Sequence, residues 1–216
     1  MKTYVIIPAY NEEQSIGKVI KEIPGEVVAG IIVVNNNSTD QTGRIAEDAG
    51  ATVLFEKTKG YGASCLTGIE YLINKECDIV VFLDGDYSDF PEEIVRLTEP
   101  IENNKFDFVL GSRVLGEREK GALLLQSRIG SLIAGFLMKL FWDVKYTDLG
   151  PFRAIKFDKL INLDMKDKWF GWTVEMQIKA AKKKYRILEI PVKYRKRIGN
   201  SKVTGTIKGT FMANPN

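Results

Sequence analysis

Asp78-Ile79-Val80-Val81-Phe82-Leu83-Asp84-Gly85-Asp86 is the stretch on which the fold turns. Its apolar run from Ile79 to Leu83 has no polar alternation, so it reads as a strand covered on both faces. Two carboxylates around a glycine follow the strand directly. Upstream, residues 3–8, 27–34 and 52–55 give three more apolar, β-branched runs, separated by helical patterns at 13–22, 40–49 and 61–74. Downstream, 92–103 reads as helix and 106–110 as strand. Buried strands separated by single helices predict an α/β fold with a parallel sheet, flanked on both sides.

The second half is less regular. A charged, glycine-containing loop at 111–121 precedes a long helix at 124–141. A loop at 147–151, a strand at 152–155, a helix at 173–184 and a strand or bent strand pair at 186–194 complete the pattern. A chain of 216 residues without repeat, linker or low-complexity tract predicts one domain, 1–216.

Composition excludes several functions. With no histidine, a His-ligated zinc site and a Ser-His-Asp triad are both ruled out. A net charge of +3 gives no argument for nucleic acid. Charge is uneven, however: ten Lys or Arg against one acid, Glu189, lie between Lys182 and Lys208. That run suits phosphates or an anionic membrane surface, and equally a solvated helix end and edge strand. Cys65 and Cys77 stand in no metal or redox spacing and are expected to pack as small apolar residues in a reducing compartment. The first residues run straight into a strand without the pattern of a secretory leader, so the expected location is cytoplasmic. No stretch is apolar enough to span a bilayer; residues 129–142 come nearest, as a core helix or one lying on a membrane surface.

In a parallel α/β sheet ligands sit beyond the carboxyl ends of the strands. Four such ends carry polar clusters: Pro8-Ala9-Tyr10-Asn11-Glu12, Asn35 to Asp40, Lys59-Gly60-Tyr61-Gly62 and Asp84-Gly85-Asp86. Paired carboxylates at the end of a buried strand repel one another, and a hard divalent cation such as Mg²⁺ or Mn²⁺ relieves that repulsion. A diphosphate would complete the cation's shell. The competing reading is a pair of carboxylates capping a loop. Gly60-Tyr61-Gly62 has Cys65 where a dinucleotide fingerprint needs glycine, and no Gly-Lys-Ser/Thr loop is present. A dehydrogenase or P-loop NTPase is therefore not expected.

The chain resembles the family-2 glycosyltransferases, and within them the dolichyl-phosphate mannose and glucose synthases and their bacterial relatives. The matching pieces span its length: 5–13, 37–40, 60–63, 83–86, Gly111-Ser112-Arg113, Thr147-Asp148-Leu149-Gly150-Pro151-Phe152-Arg153-Ala154 and Glu189-Ile190-Pro191-Val192, with Arg197, Gly199, Ser201 and Lys202. The resemblance implies the GT-A fold: a Rossmann-like, mostly parallel sheet with an antiparallel portion in the C-terminal half. It implies a metal-dependent inverting hexosyltransferase, with residues 1–112 holding the nucleotide sugar and 113–216 the acceptor.

Residue by residue, the resemblance puts Pro8, Tyr10, Asn11, Glu12, Asn35, Asn36 and Lys59 on the donor nucleotide. Asp84 and Gly85 fall on its ribose and sugar side. Asp86 falls on the metal, with Asp84 as its companion. Arg113, Arg197, Ser201 and Lys202 match positions that contact phosphates of donor or lipid-phosphate acceptor. Many relatives carry Asp-Asp where Asn35-Asn36 stands. An amide carbonyl still accepts from uracil but loses the charge-assisted bond a guanine edge favours, which points to UDP-glucose ahead of GDP-mannose. If the acceptor is a hydroxyl, Glu175 is the first candidate base and Asp148 the second. Glu175 can instead be a helix-terminal carboxylate, and Asp148 a turn residue. Trp169, Phe170 and Trp172 suit stacking on a sugar or prenyl chain, or plain core packing. A sugar nucleotidyltransferase and a non-catalytic nucleotide-sugar-binding protein are the readings of other classes. The resemblance also implies a protein peripheral to the cytoplasmic face of a membrane, and leaves oligomeric state open.

Overall fold

The computed structural model describes residues 1–199. One seven-stranded sheet organises them: β1 (Thr3–Ala9), β2 (Gly30–Asn35), β3 (Thr52–Phe55), β4 (Ile79–Phe82), β5 (Phe108–Ser112), β6 (Arg153–Lys156) and β7 (Ile187–Pro191). Their order is β3-β2-β1-β4-β6-β5-β7. Six strands point the same way, and β6 alone runs antiparallel, between β4 and β5. The expected antiparallel portion is thus one strand from the second half inserted into the middle of the sheet.

Alternate residues of the buried strands feed two cores. Val5, Ile7, Val33, Val81 and Val109 face one side. There α1 (Ile16–Glu22), α2 (Thr42–Asp48) and α4 (Ile94–Glu102) lie, their Val19, Ile20, Ala46 and Leu97 buried among the strand residues. Ile6, Ile32, Val80, Phe82 and Phe108 face the other, covered by α3 (Tyr61–Leu72), α5 (Leu125–Trp142), α6 (Phe157–Leu163) and α7 (Trp172–Lys182). A sheet buried on both faces needs no polar alternation, which is why the strands read as unbroken apolar runs.

Some boundaries differ from expectation. The ladder of β2 begins at Gly30, so Val27 and Val28 pack against the core from the preceding loop. Helix α6 is not foreseen by the sequence pattern at all. It follows β6 without a connecting loop and is seven residues long, too short to establish a helical period. Among the described residues no helix is long and apolar enough to cross a membrane.

Chain order reverses on the sheet beside β1: the chain goes outward to β2 and β3, then returns to β4 on the other side. Crevices for ligands open at such switch points, at the carboxyl ends of the strands.

Candidate active site

The loops after β1 and β2 are sewn together at the switch point. The amide of Asn11 donates to the Ser38 hydroxyl at 3.0 Å, that of Thr39 to the Asn11 side-chain carbonyl at 2.8 Å, and that of Glu12 to the Thr42 hydroxyl at 2.7 Å. Asn11 takes φ 54°, a left-handed value that asparagine tolerates better than most residues. Lys59 reaches over from the third strand end, its ammonium 5.7 Å from the Tyr10 ring centre. Gly85, after β4, packs against the Glu12 side chain; a Cβ added there would lie 3.6 Å from it. The four polar clusters therefore meet at one rim, with Pro8 and Tyr10 half-buried beside them.

Two asparagines that look alike in sequence do different things. Asn36 is buried, and its amide is fully employed in holding the chain. It donates to the carbonyls of Glu56 (3.2 Å) and Thr58 (2.7 Å) and accepts from Gly60 N–H at 2.8 Å. Asn35 is half-buried, accepts from the Ser38 amide at 2.9 Å and lies against Gly43 of α2. These bonds commit the Asn36 amide to the backbone of the third strand end, whereas the resemblance puts it on the donor. Gly60 and Gly62 likewise serve packing. The amides of Gly62 and Ala63 donate to the carbonyls of Trp169 and Lys168 at 3.0 and 2.9 Å. A Cβ on either glycine would come within 2.0 Å of a backbone oxygen of that loop.

At the end of β4, Asp86 is buried and Asp84 half-buried. Asp86 accepts from the Ser88 amide at 2.9 Å and from the Ser88 hydroxyl, and its other oxygen meets the Arg197 guanidinium at 2.9 Å. Burial pushes the Asp84 carboxyl up to about 7, and the nearby Asp86 charge pushes the same way, against relief from Arg197 and Arg113. Asp89 is one carboxylate the sequence reading passes over. Its side chain is 2 % exposed, and neither oxygen has a hydrogen-bond partner of normal geometry. Burial first, then Asp84 and Asp86, hold its carboxyl well above the ordinary range; Arg113 and the Asp84 backbone amide ease it only in part. The spacing Asp84, Asp86, Asp89 could have flagged it, since each follows the same buried strand.

The second half closes over this rim from two directions. The segment after β7 runs antiparallel to 86–89, bridging Asp89 to Tyr194, with the Ile198 amide donating to the Asp86 carbonyl at 2.9 Å. That pairing carries Arg197 to Asp86. From the other side, Arg113 follows β5 and grips Asp148 in a fork, 2.7 Å from Nε and 2.8 Å from Nη2, its backbone amide adding a third bond at 3.0 Å. Burial tends to raise the Asp148 carboxyl, but the bonds and charge of Arg113 outweigh it and hold the group below its ordinary value. Glu189, on β7, accepts from the amides of Thr147 and Asp148 at 3.0 Å and fixes that loop.

Both candidate bases are engaged by other groups. Asp148 is committed to Arg113. Glu175, in the first turn of α7, accepts from the amides of Lys166 (2.9 Å) and Asp167 (2.8 Å) and pairs with Lys179 at 2.6 Å. It locks the loop ahead of its own helix, the helix-terminal role that sequence left as its alternative. The aromatic cluster divides too: Trp172 is core, edge-on to Phe82 with ring centres 6.0 Å apart, whereas Trp169 is exposed. Arg153, also overlooked, is wholly buried in a cage of carbonyls from Gly150 (3.2 Å) and Thr173 (3.1 Å), which props the 147–151 loop. Ser201 and Lys202 lie outside the described residues.

The family model described as glycosyl transferase family 2 matches residues 4–163. An uncharacterised glycosyltransferase of Mycobacterium tuberculosis is 30 % identical, over 97 % of this chain and 93 % of its own. An undecaprenyl-phosphate mannosyltransferase of Micrococcus luteus is 29 % identical, over 99 % and 92 %. A dolichyl-phosphate N-acetylglucosaminyltransferase of Methanococcus voltae that uses UDP-N-acetylglucosamine is 28 % identical, over 88 % and 84 %. Among solved structures, glucosyl-3-phosphoglycerate synthase from M. tuberculosis, in complex with Mn²⁺, UDP and phosphoglyceric acid, superposes with a TM-score of 0.74. It is 21 % identical, over 93 % of this chain and 71 % of its own, and shares the fold.

Proposed function

The chain belongs to glycosyl transferase family 2, and from that premise we propose that it moves a hexose from a nucleoside diphosphate sugar to a polyprenyl phosphate at a membrane surface. The observation that carries this reading is the rim cluster of Asp84, Asp86, Arg113 and Arg197 at the switch point. Residues 1–112 would hold the donor and the remainder the acceptor. Pro8, Tyr10, Asn11, Glu12 and Asn35 would face the nucleotide, with Lys59 beside them.

The donor set suits a hard divalent cation. Burial and the Asp86 charge disfavour an ionised Asp84, a penalty that a bound cation would lift, Asp86 is matched by a guanidinium and a serine, and the carboxylate ligands are oxygens. Among the described residues no three His, Cys, Asp or Glu side chains converge on one point, so two carboxylates would hold Mg²⁺ or Mn²⁺ and diphosphate oxygens would share the rest. Such an ion supplies charge neutralisation for the departing diphosphate. Arg197, displaced from Asp86, would then pair with phosphate, for which its fork of donors is shaped.

Acceptor chemistry follows from the two engaged carboxylates. A phosphate brings its own anionic oxygen, so it can attack the anomeric carbon without a side-chain base. The new carbon–oxygen bond forms as the bond to the diphosphate breaks, and the electron pair leaves with the nucleotide, inverting the configuration. Arg113, held rigid by Asp148, would orient the incoming phosphate. The lipid-phosphate relatives named above support this choice.

On the base, the uracil argument now rests on Asn35 alone, and UDP-glucose remains the reading; GDP-mannose is second, supported by the mannosyltransferase relative. The test is a matrix of UDP- and GDP-sugars against undecaprenyl phosphate, a sugar alcohol and 3-phosphoglycerate, with Mn²⁺ or EDTA, analysed by mass spectrometry. Metal-dependent glycosyl polyprenyl phosphate is expected. Transfer to a soluble acceptor alone would overturn the lipid reading, and pyrophosphate exchange would reassign the class.

A further inference from the structure

The turn that carries Asp86 is strained, and a guanidinium pins it. Tyr87, between Asp86 and Ser88, takes φ 67°, in the left-handed region. A bulky side chain makes that conformation costly, and a residue other than glycine keeps it only where its surroundings over-determine it. The conformation matters to the carboxylate before it. It brings the Ser88 amide and hydroxyl back to one oxygen of Asp86, the amide at 2.9 Å, and leaves the other oxygen to Arg197.

Arg195 supplies the surroundings that hold Tyr87. Its guanidinium carbon lies 3.4 Å from the centre of the Tyr87 ring and 4.4 Å from that of Phe90. Nε donates to the Tyr87 carbonyl at 2.7 Å. Nη2 donates to the Asp89 carbonyl at 3.1 Å and to the Glu22 carboxylate at 2.5 Å. Glu22, the last residue of α1, also accepts from the Tyr87 hydroxyl, so ring and guanidinium share one anchor. The Arg195 amide adds a bond to the Ser88 carbonyl at 2.9 Å. A tie between the segment after β7 and α1 needs only the Glu22 pair. Every other contact named here is drawn from the four residues after Asp86, which is the pattern of a support for that carboxylate.

We propose that Arg195 is a positioning residue: it clamps Tyr87 in its left-handed conformation and thereby presents the Asp86 carboxylate to a divalent cation. Arg195 itself never touches the cation. Groups that orient a ligand from behind set much of a site's affinity for metal, because a ligand already turned to the ion has no orientation left to lose. Two arginines two positions apart thus serve one carboxylate, Arg197 by facing it and Arg195 by fixing the turn that aims it. The part played by the cation rests on the donor reading; the clamp on the turn does not.

Mn²⁺ binding in the presence of UDP, followed by the electron paramagnetic resonance of free Mn²⁺, tests the role, and hydrogen exchange measured by NMR tests the clamp. Arg195→Met keeps an apolar stem against the rings and removes the charge and the donors. It should weaken Mn²⁺ binding about 10–100-fold and speed exchange at the Ser88 amide. Arg195→Lys keeps a cation there without the fork and should show a smaller loss of the same kind. Arg186→Met breaks a different pair, with Asp107 at the amino end of β5, and should leave Mn²⁺ binding unchanged; an equal loss there overturns the proposal. Glycine adopts the left-handed conformation without help. In a Tyr87→Gly background, Arg195→Met should therefore cost little further Mn²⁺ affinity. The same loss in both backgrounds overturns the proposal, as does unchanged exchange at Ser88. A wild type that binds no Mn²⁺ with UDP, while Arg195→Met still speeds Ser88 exchange, would strike the donor reading and leave the clamp standing.

Discussion

Two arginine–carboxylate pairs flank the candidate active site, and they are built differently. Arg113 and Asp148 meet through a fork plus a backbone bond, with side chains 12 % and 1 % exposed. Arg197 touches Asp86 through one nitrogen, is 31 % exposed, and hangs on a segment that follows the last strand. The first pair has the redundancy of a fixture. The second has a single contact, one cation balancing the charge of a carboxylate, which is what the proposed exchange of Arg197 for a metal ion requires. Buried charge is costly to strip of its partner, and the cost falls as water gains access to one side of the pair.

The largest effect expected from this contrast is on the fixture. Asp148→Ala should cost about 3–5 kcal/mol in denaturant unfolding, because it strands the buried Arg113 charge; a loss within error would erase the distinction between the pairs. Next comes chemistry. Asp86→Ala should cut transfer about 10²–10³-fold by removing charge stabilisation at the leaving group, with Tm nearly unchanged. Full activity there would detach this carboxylate from catalysis.

Asn36→Asp should destabilise by about 1–3 kcal/mol, since a carboxylate would face the carbonyls of Glu56 and Thr58 that the amide now serves. At the small end, Arg197→Ala should cost less in unfolding than Asp148→Ala, because water reaches Asp86 past the 31 % exposed guanidinium, while lowering transfer. A stability loss as large as that of Asp148→Ala would show that both pairs are fixtures.

Asp89 sharpens the comparison through pH. Its folded carboxyl is raised, so the protein forgoes the ionisation that the unfolded chain gains near pH 3.9, and stability is lost as pH climbs past that value. Asp89→Asn should therefore raise Tm at about pH 7, and the gain should fade below about pH 4. An equal shift at both would mean that packing, not charge, sets the cost.

The strands were legible because a sheet covered on both faces leaves an unbroken apolar signature; residues 52–55 match to the residue. Strand ends, and with them Asp84 and Asp86, came with the strands. What the sequence could not show was which way a polar side chain turns. Asn35 and Asn36 are chemically identical neighbours, yet successive positions at a strand end point to opposite sides: Asn36 turns to the carbonyls of Glu56 and Thr58, Asn35 to Ser38 and Gly43. Glu175 and Asp148 have the chemistry of bases, but apart from Lys179, one turn from Glu175, the groups that engage them named above lie 8 to 35 positions away along the chain. Arg153 stayed hidden for the same reason: carbonyl oxygens leave no mark in composition.

The reversed strand β6 has a mechanical consequence. It belongs to the second half yet is hydrogen-bonded along both edges to strands of the first, β4 and β5. The two halves are therefore interleaved like the fingers of clasped hands rather than hinged like jaws. Any enclosure of a ligand must come from surface segments moving over a rigid plate, and cutting the chain near residue 112 would leave a plate with its middle slat missing instead of two independent folds.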